Sequence, residues 1–585
     1  VKQFFPNKSI PFLLFLLSIG SAYALSQNDN NKNVIQKETH NTCDFGYKKQ
    51  GALAMHGAPQ VNKTNVALCD LYKKNKNKIA PFLKASEQER FTGINYLISK
   101  GDVSYSVRPW VIDTLMYRSP FEPFTVYPNI AEIIDINEQR NFVTFKVNKK
   151  AKFSNQQPIT AADILFSFEK LKKEGRYNYQ IAYKNVTAKI LDQNTIRFDI
   201  HVANRELPLI LGLMPIFYHK TTDQEFSTQD LTPPIMASPY HVKKANMGRS
   251  LTLEKNMDYW GLSTPQGKAR FNFKTVKFDF FQNDIAAFEN LRAGQSDYFY
   301  ESNLKRLHTS YDFPALKKGD YKIHQISTGR PAGLYSFTLN TRRRFLKDSI
   351  LRKAIFLAFN FSAVNQDYLF GTFKQSNSLF AGSELAHNHF YKNSTAPQKI
   401  RDRLKLAHKL LKENHYSFKN GQLLTPNQQP VTLYLLLNNP NDEKFAGAFK
   451  KDLEKIGIKL VMQVVDDSLY QHHLNQFDYD LIIYSWYNSL SPGIEQKNYW
   501  HCDTKNQSGS RNYAGICSPE IDIIIDNLIT AKSRKDLVYY AAKLDHTLMQ
   551  GNYLIPLYGQ QYYNIVTRKN LIPSQGGATY FYIKD

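Results

Sequence analysis

The sequence predicts an α/β protein built on mixed sheets. Short apolar or alternating runs rich in β-branched and aromatic residues recur along the chain, as strands require. Amphipathic helical runs separate them and no internal repeat sets a period, which favours layered sheets and helices. The 585 residues, 42% hydrophobic and 14% aromatic, exceed what a single core holds and imply three or four structural domains.

In chain order, Val111–Tyr117 is a helical candidate, and Asn141–Val147 alternates as a half-buried strand should. Thr160-Ala-Ala-Asp163 is a helix-opening capping box, with Ile164, Leu165, Phe168 and Leu171 on the buried face. Val186–Leu191 and Thr195–Ile200 form a strand pair about Asp192-Gln193-Asn194. Leu251–Glu254 and Val276–Phe281 are strands, and Ala286–Ala293 is a helix stopped by Gly294. Ser349–Phe361 and Ile400–Glu413 are helices. Val431–Leu437 is a buried strand, followed by helix Glu443–Ile456 and strand Lys459–Val465. Ser518–Thr530 and Lys535–Met549 close the chain as helices before Leu554–Tyr558.

The most informative stretch is Phe477 to Cys517. A short buried-strand run, Leu481 to Tyr484, breaks into a long loop carrying Trp486, Tyr487, Tyr499, Trp500 and Tyr513 among Asn, Gln, Ser and Gly. Rings supply contact area and amides supply directional hydrogen bonds, so such loops commonly line ligand clefts. An exposed loop with its aromatics tucked into a core is the competing reading.

Lys2 and Lys8, the apolar run Ile10–Ile19 and Ala22-Tyr23-Ala24 have the make-up of an export signal over residues 1–24. No cysteine follows directly, so no lipid anchor is expected. Residues 25–42, rich in Asn, Gln and Lys, are expected to be a disordered leader. Four cysteines in an exported chain suggest two disulfides; local pairing gives Cys43–Cys69 and Cys502–Cys517. The net charge of +24 favours anionic partners, but the basic residues are scattered. That pattern, with export, argues against nucleic acid. There is no G-x-S-x-G, no P-loop, no G-x-G-x-x-G after a strand and no metal-ligand spacing. Asp466-Asp467 would sit on opposite faces of a strand, a surface pair and not a catalytic dyad.

An ordered set of segments resembles the extracellular solute-binding proteins of family 5, which serve oligopeptide ABC importers, and within them the YejA-type subgroup. These are FTGINYLISKG (91–101), YRSPFEPFTVYP (117–128), AKFSNQQPITAADILFSF (151–168), RELPLILGLMP (205–215) and GRSLTLEKNMDYWG (248–261). NTRRRF (340–345), LAFNF (357–361), SLSPGIEQ (489–496) and SGSRNY (508–513) complete the set.

The resemblance implies a two-lobed periplasmic binding protein of type II, oligopeptide-binding-like, with mixed sheets, a hinged cleft and an extra inserted subdomain. Lobe I would comprise 43–104, 230–335 and 549–585, the insert 105–229 and lobe II 336–548. It implies a monomer of the periplasm, without catalysis, cofactor or metal. Such a protein would take a short peptide or peptide-like ligand and deliver it to an inner-membrane ABC permease with its ATPase subunits. The same fold carrying another cargo such as haem is the alternative; a secreted peptidase or glycosidase is less favoured.

The cleft residues that the resemblance suggests are Asn95, Tyr96 and Tyr240 in lobe I. In lobe II they are Trp486, Tyr487, Asn488, Ser489, Glu495, Arg511 and Asn512. General oligopeptide binders carry an aspartate at the position of Ser489, which takes the peptide's amino terminus. Glu495 is then either a substitute counter-charge or a surface carboxylate. Arg511 and Asn512 either meet a carboxylate or peptide carbonyls, or pin the loop. Arg342 is expected to pin an interlobe crossing. The segment from Lys78 to Ser86 lacks the subgroup's glycines, so an irregular first strand is expected. The strong positive charge points to a neutral or acidic cargo.

Overall fold

The computed structural model describes residues 47–55, 61–75, 78, 80–87, 103–122, 124–202, 204–222, 226, 234–387, 399–439, 442–574 and 580–584. The expected export signal, the leader, Cys43, Asn95 and Tyr96 lie outside the described residues. Two large mixed sheets organise the rest. The first has seven strands, in the order Tyr321–Ser327, Tyr562–Arg568, Tyr298–Glu301, Ala80–Glu87, Phe273–Phe280, Ser250–Lys255 and Tyr240–Asn246. Its members come from three distant stretches of chain. Leu83, Ala85, Leu251, Leu253, Val276 and Phe278 are buried in its core, which fixes the register through the period-two pattern.

Ala80–Glu87 is not irregular as expected. It runs at the centre of the sheet, parallel to both Phe273–Phe280 and Tyr298–Glu301. Pro81 is the second residue of the strand, close to the strand start at which proline is tolerated.

The second sheet has five strands: Lys459–Val464, Thr432–Leu437, Leu481–Trp486, Leu334–Leu339 and Leu554–Pro556. Leu433, Leu435, Leu437 and Ile483 pack on one side with helices Ser349–Ala358, Ile400–Glu413 and Glu443–Glu454. Leu436, Ile482 and Trp486 pack on the other with helices Pro519–Thr530 and Arg534–Gln550. Burial on both faces explains why these strands read as continuous apolar runs. Leu334 pairs with Trp486, and Leu554–Pro556 pairs with Thr338–Ser336. Both segments therefore belong to this second sheet: Leu334 precedes the start expected for lobe II at 336, and Leu554–Pro556 follows its expected end at 548.

In the chain between two strands of the first sheet, Ala80–Glu87 and Tyr240–Asn246, the strands Ala131–Ile136, Phe142–Val147, Thr195–Ile200 and Val186–Asp192 form a four-stranded antiparallel sheet. Helix Ala161–Glu174 covers it, with Ile164, Phe168 and Leu171 fully buried. The Asp163 carboxylate accepts from the Thr160 backbone N–H and hydroxyl, both at 2.8 Å.

Three further expectations change. Val111–Tyr117 is not a helix: one ends at Val111 and Met116–Arg118 is a strand. Asp113 makes the turn, accepting from the Thr114 N–H and from the Asn129 and Tyr259 side chains. The run Ser349–Phe361 splits after Ala358, because Asn360 caps a second helix, Phe361–Tyr368. Asp466 lies in no strand; it caps helix Asp467–Gln476 through the Ser468 and Leu469 N–H groups. No helix among the described residues is long and apolar enough to cross a membrane.

Two chain segments join the large sheets, residues 328–333 and 557–561. They lie side by side: Thr328 N–H donates to the Gln561 carbonyl and Gln560 N–H to the Ala332 carbonyl, each at 2.8 Å. A Cβ on Gly559 would stand 2.5 Å from the Gly333 carbonyl oxygen and 2.8 Å from Ala332 Cβ, so only glycine lets the segments touch. Gly559→Ala is expected to lower unfolding stability by about 1–3 kcal/mol in urea titration, the usual overpacking cost. Gly447→Ala, on an open helix face with nothing within 4 Å, is expected to be neutral or slightly stabilising. Equal effects would contradict this packing.

Candidate functional site

The site is built where the two sheets face each other. Tyr298–Glu301, Thr432–Leu437 and Leu481–Trp486 all end at one cavity of about 600 Å³. Carboxyl ends of parallel strands are the usual ligand position in α/β sheets, since the loops there are free to vary. From the first sheet's side the lining includes Asp284, Tyr300, Asn303 and Lys305. Tyr335, Asn439, Asp442, Lys444, Ser485 and Tyr487 line it from the second, and Tyr558, Gly559 and Gln560 from the crossing. An adjoining cavity of about 510 Å³ shares Leu304, Ala332, Gly559 and Gln560 and adds the amides of Gln325, Gln375, Asn377, Gln561 and Asn564.

Aromatic contacts stiffen the wall. Tyr335 stands 5.4 Å from Tyr558 and 6.3 Å from Phe445 between ring centres, and Phe373 backs Tyr558 at 4.4 Å. The Tyr335 hydroxyl donates to Asp442. Burial raises the Asp442 carboxyl above its ordinary range, against the pull of that hydrogen bond and of Lys444. Asp284 accepts from Arg306 at 3.0 Å, while Arg306 is also held by Glu301 through two bonds of 2.7 Å. Tyr487 is 71% exposed and lies against Gly333, where a Cβ would come within 3.2 Å of its ring.

The suggested cleft residues separate into two groups. Tyr487 lines the cavity. Arg511 stands on the same loop, where Tyr484, Tyr499 and Tyr513 surround its exposed guanidinium and favour its charged form, Tyr484 foremost; Glu495 stands instead beside Glu206 and accepts from the Gly493 N–H at 2.9 Å. The others are structural where they stand. Trp486 is 1% exposed, stacks on Trp500 at 4.3 Å and donates Nε1–H to Thr338 Oγ1 at 3.2 Å. Asn488 bonds the Leu379 carbonyl and Gln496. Ser489 Oγ accepts from the Ser491 N–H in a tight turn. Asn512 is fully buried and ties His501 to Ile516 across the loop closed by Cys502–Cys517. Tyr240 is fully buried, with its hydroxyl on the Phe273 carbonyl at 2.7 Å and its ring edge-on to Trp110. Cys69 is also disulfide-bonded. Arg342 pins no interlobe crossing; it holds Asn340 and the Asn512 carbonyl within the second half and covers the Phe477 ring at 3.7 Å.

Sequence reasoning missed Tyr300, Lys305, Tyr335, Asp442, Lys444 and Tyr558. They lie far apart along the chain and meet only through sheet topology. The one signal was that Tyr300 and Tyr335 lie near strand ends; Lys305 and Lys444 stand in the first turns of helices Leu304–Thr309 and Glu443–Glu454.

Glu206, also missed, faces the second half from the segment after the four-stranded sheet. It accepts from the Ser491 hydroxyl at 2.8 Å. Burial, then repulsion from Glu495, pushes its carboxyl up to about 8, while Ser491, Arg118 and Arg140 pull it down. The Arg205 guanidinium bonds the Ala531 carbonyl nearby. The two halves thus touch on this flank as well as at the crossing.

Two outcomes are expected. The folded chain keeps the Glu206 proton that the unfolded chain loses near 4.5, so stability falls as pH rises from about 4.5 to 8 and levels off above. Glu206→Gln should flatten that slope in urea unfolding at pH 5 and 8; an unchanged slope would contradict the assignment. Trp486→Ala should cost about 3–5 kcal/mol as a core truncation, whereas Tyr487→Ala should leave unfolding stability within about 0.5 kcal/mol.

Comparison with known proteins agrees with this architecture. Residues 125–508 match the family model for bacterial extracellular solute-binding proteins, family 5 Middle. A Brucella suis biovar 1 (strain 1330) protein named only as a binding protein is 33% identical over 484 residues, 77% of this chain and 78% of its own. Two Agrobacterium fabrum proteins are similar over most of their length. The peptidoglycan-binding protein YepA is 32% identical, covering 83% of this chain and 87% of its own. YejA, named as a probable peptide-binding protein, is 31% identical, covering 84% and 87%. Among solved structures, the oligopeptide-binding protein AppA of Bacillus subtilis, in complex with a nonapeptide, superposes with a TM-score of 0.68 at 19% identity. It covers 87% of this chain and all of its own. The fold is that of the two-lobed type II periplasmic binding proteins, and the chain belongs to the family 5 extracellular solute-binding proteins, within its YejA-type branch.

Proposed function

We propose that this protein is the periplasmic receptor of an ABC importer, catching short peptides or peptide-like compounds between its lobes and passing them on unchanged. The observation that carries the reading is the 600 Å³ cavity lined from both sheets and from the crossing that joins them. A guest held by both lobes binds the closed form better than the open one, and so shifts the population toward closure. A membrane permease with its ATPase subunits then reads the closed shape.

The lining suits a peptide. Asn303, Asn439, Ser485 and Gln560 offer side-chain donors and acceptors for an extended main chain, and Tyr300, Tyr335, Tyr487 and Tyr558 offer contact area. The names of the Agrobacterium relatives favour peptide or peptidoglycan-derived cargo. The cavity and its neighbour together leave room for more than a dipeptide. Export by a cleavable signal and a monomeric state belong to the same proposal, as does the absence of catalysis.

Native mass spectrometry of the purified protein incubated with a random pool of three- to five-residue peptides tests the reading. Intact peptides retained at one per chain, and lost from Tyr487→Ala, are the expected result. Cleaved peptides, or no retention from the pool, would overturn it.

A further inference from the structure

On the flank where the two halves touch, two carboxyl groups anchored in different cores meet. Glu206 stands just before helix Leu207–Gly212, whose leucines share the hydrophobic core of the first sheet. Glu495 opens helix Glu495–Trp500, and Trp500 packs in a core of the second sheet. Both carboxyls reach the same small residue. A Cβ on Gly493 would stand 3.4 Å from a Glu495 carboxyl oxygen and 3.5 Å from the Glu206 carboxyl carbon. The Ser491 hydroxyl donates to Glu206 at 2.8 Å. Glu495 accepts from the Gly493 N–H at 2.9 Å and from the Gln496 side chain at 3.2 Å.

The surrounding cations are engaged elsewhere. Arg140 donates to the Ala54 and Arg205 carbonyls at 2.7 and 3.2 Å. Arg205 bonds the Ala531 carbonyl and feels Asp536, and Arg118 covers the Phe124 ring at 5.5 Å. From the second half, Arg534 is held by Glu384 and the Leu490 carbonyl. Tyr499, kept neutral by burial, stands near Glu495. Burial and then Glu495 push the Glu206 carboxyl up to about 8, against Ser491, Arg118 and Arg140, and burial raises Glu495 as well. Two carboxyls enclosed together ionise together only at high cost. One proton therefore stays with the pair while the halves touch, and it leaves once water reaches them.

We propose that Glu206, Ser491 and Glu495 form a proton-taking latch between the two halves: joining this flank takes up one proton, and parting it returns that proton to solvent. The latch needs two bodies that separate but no particular cargo, so it goes beyond the receptor reading. Its pH window follows from the raised Glu206 carboxyl. The contact has full strength below about 4.5, weakens as pH rises to about 8, and levels off above. A receptor with this latch closes more readily in acid.

Pulsed dipolar spectroscopy on the full chain without peptide tests the latch. Spin labels are placed at Gln139→Cys, beside the four-stranded sheet, and at Glu520→Cys, on helix Pro519–Thr530, both exposed positions. The described native cysteines are disulfide-bonded and take no label. Between pH 5 and 7 the ratio of short to long distances should fall roughly tenfold or more, since one linked proton shifts it by up to about tenfold per pH unit. Glu206→Gln should remove most of that fall, Glu495→Gln part of it, and the double variant all of it. A wild-type distribution unaltered by pH, or an equal fall in the double variant, would overturn the latch. Peptide retention from the random pool is read separately, so either reading can fail while the other stands.

Discussion

The structure depends on the contact between two short segments, 328–333 and 557–561. Their two backbone hydrogen bonds, and the close approach of Gly559 to Gly333, make one narrow double connection between two separately cored sheets. Each sheet has its own hydrophobic layers, so neither needs the other to fold around. A joint of two strands with glycines at the contact absorbs small dihedral changes that become large displacements at the cavity mouth. The cavity is a consequence: it lies where the strand ends of both sheets converge on the joint.

That arrangement sorts the aromatic residues by what stands behind them. Trp486 and Tyr487 are neighbours in sequence, yet the strand's alternation turns one into the core under Trp500 and the other into the cavity. The same alternation sends Leu436 and Ile482 to one helix layer and Leu435 and Ile483 to the other. Charge is sorted in a similar way. Asp442 is held by Tyr335 and Asp284 by Arg306, while Lys444 stands over the Phe445 ring at 5.0 Å. On the far flank, Glu206 and Glu495 crowd together beneath Ser491.

Much of the fold was legible in the sequence because local periodicity and burial agree. Ile400–Glu413 and Thr195–Ile200 appear with the expected limits, the first set by its amphipathic stripe and the second by strict alternation. Val111–Tyr117 was misread because a buried apolar run is compatible with either period, and Asp113 decides the turn through bonds to distant Asn129 and Tyr259. The lack of glycines misled for Ala80–Glu87, since a central position between two parallel partners imposes regularity that local propensity does not reveal. At the site, the polar-aromatic loop announced Tyr487 and the Arg511 cluster. It did not distinguish a cavity ring from a core ring, which have the same hydropathy. The opposite wall was invisible: Asp284, Tyr300 and Lys305 reach the cavity only after three remote chain segments assemble the first sheet.

The central claim is that the two lobes move about the paired crossing and shut on a guest. Small-angle X-ray scattering of the chain stripped of ligand, and then saturated with a peptide retained from the random pool, tests it most directly. The radius of gyration should fall on loading and the scattering profile should change shape. Superimposable profiles, with the same peptide demonstrably bound, would contradict the account.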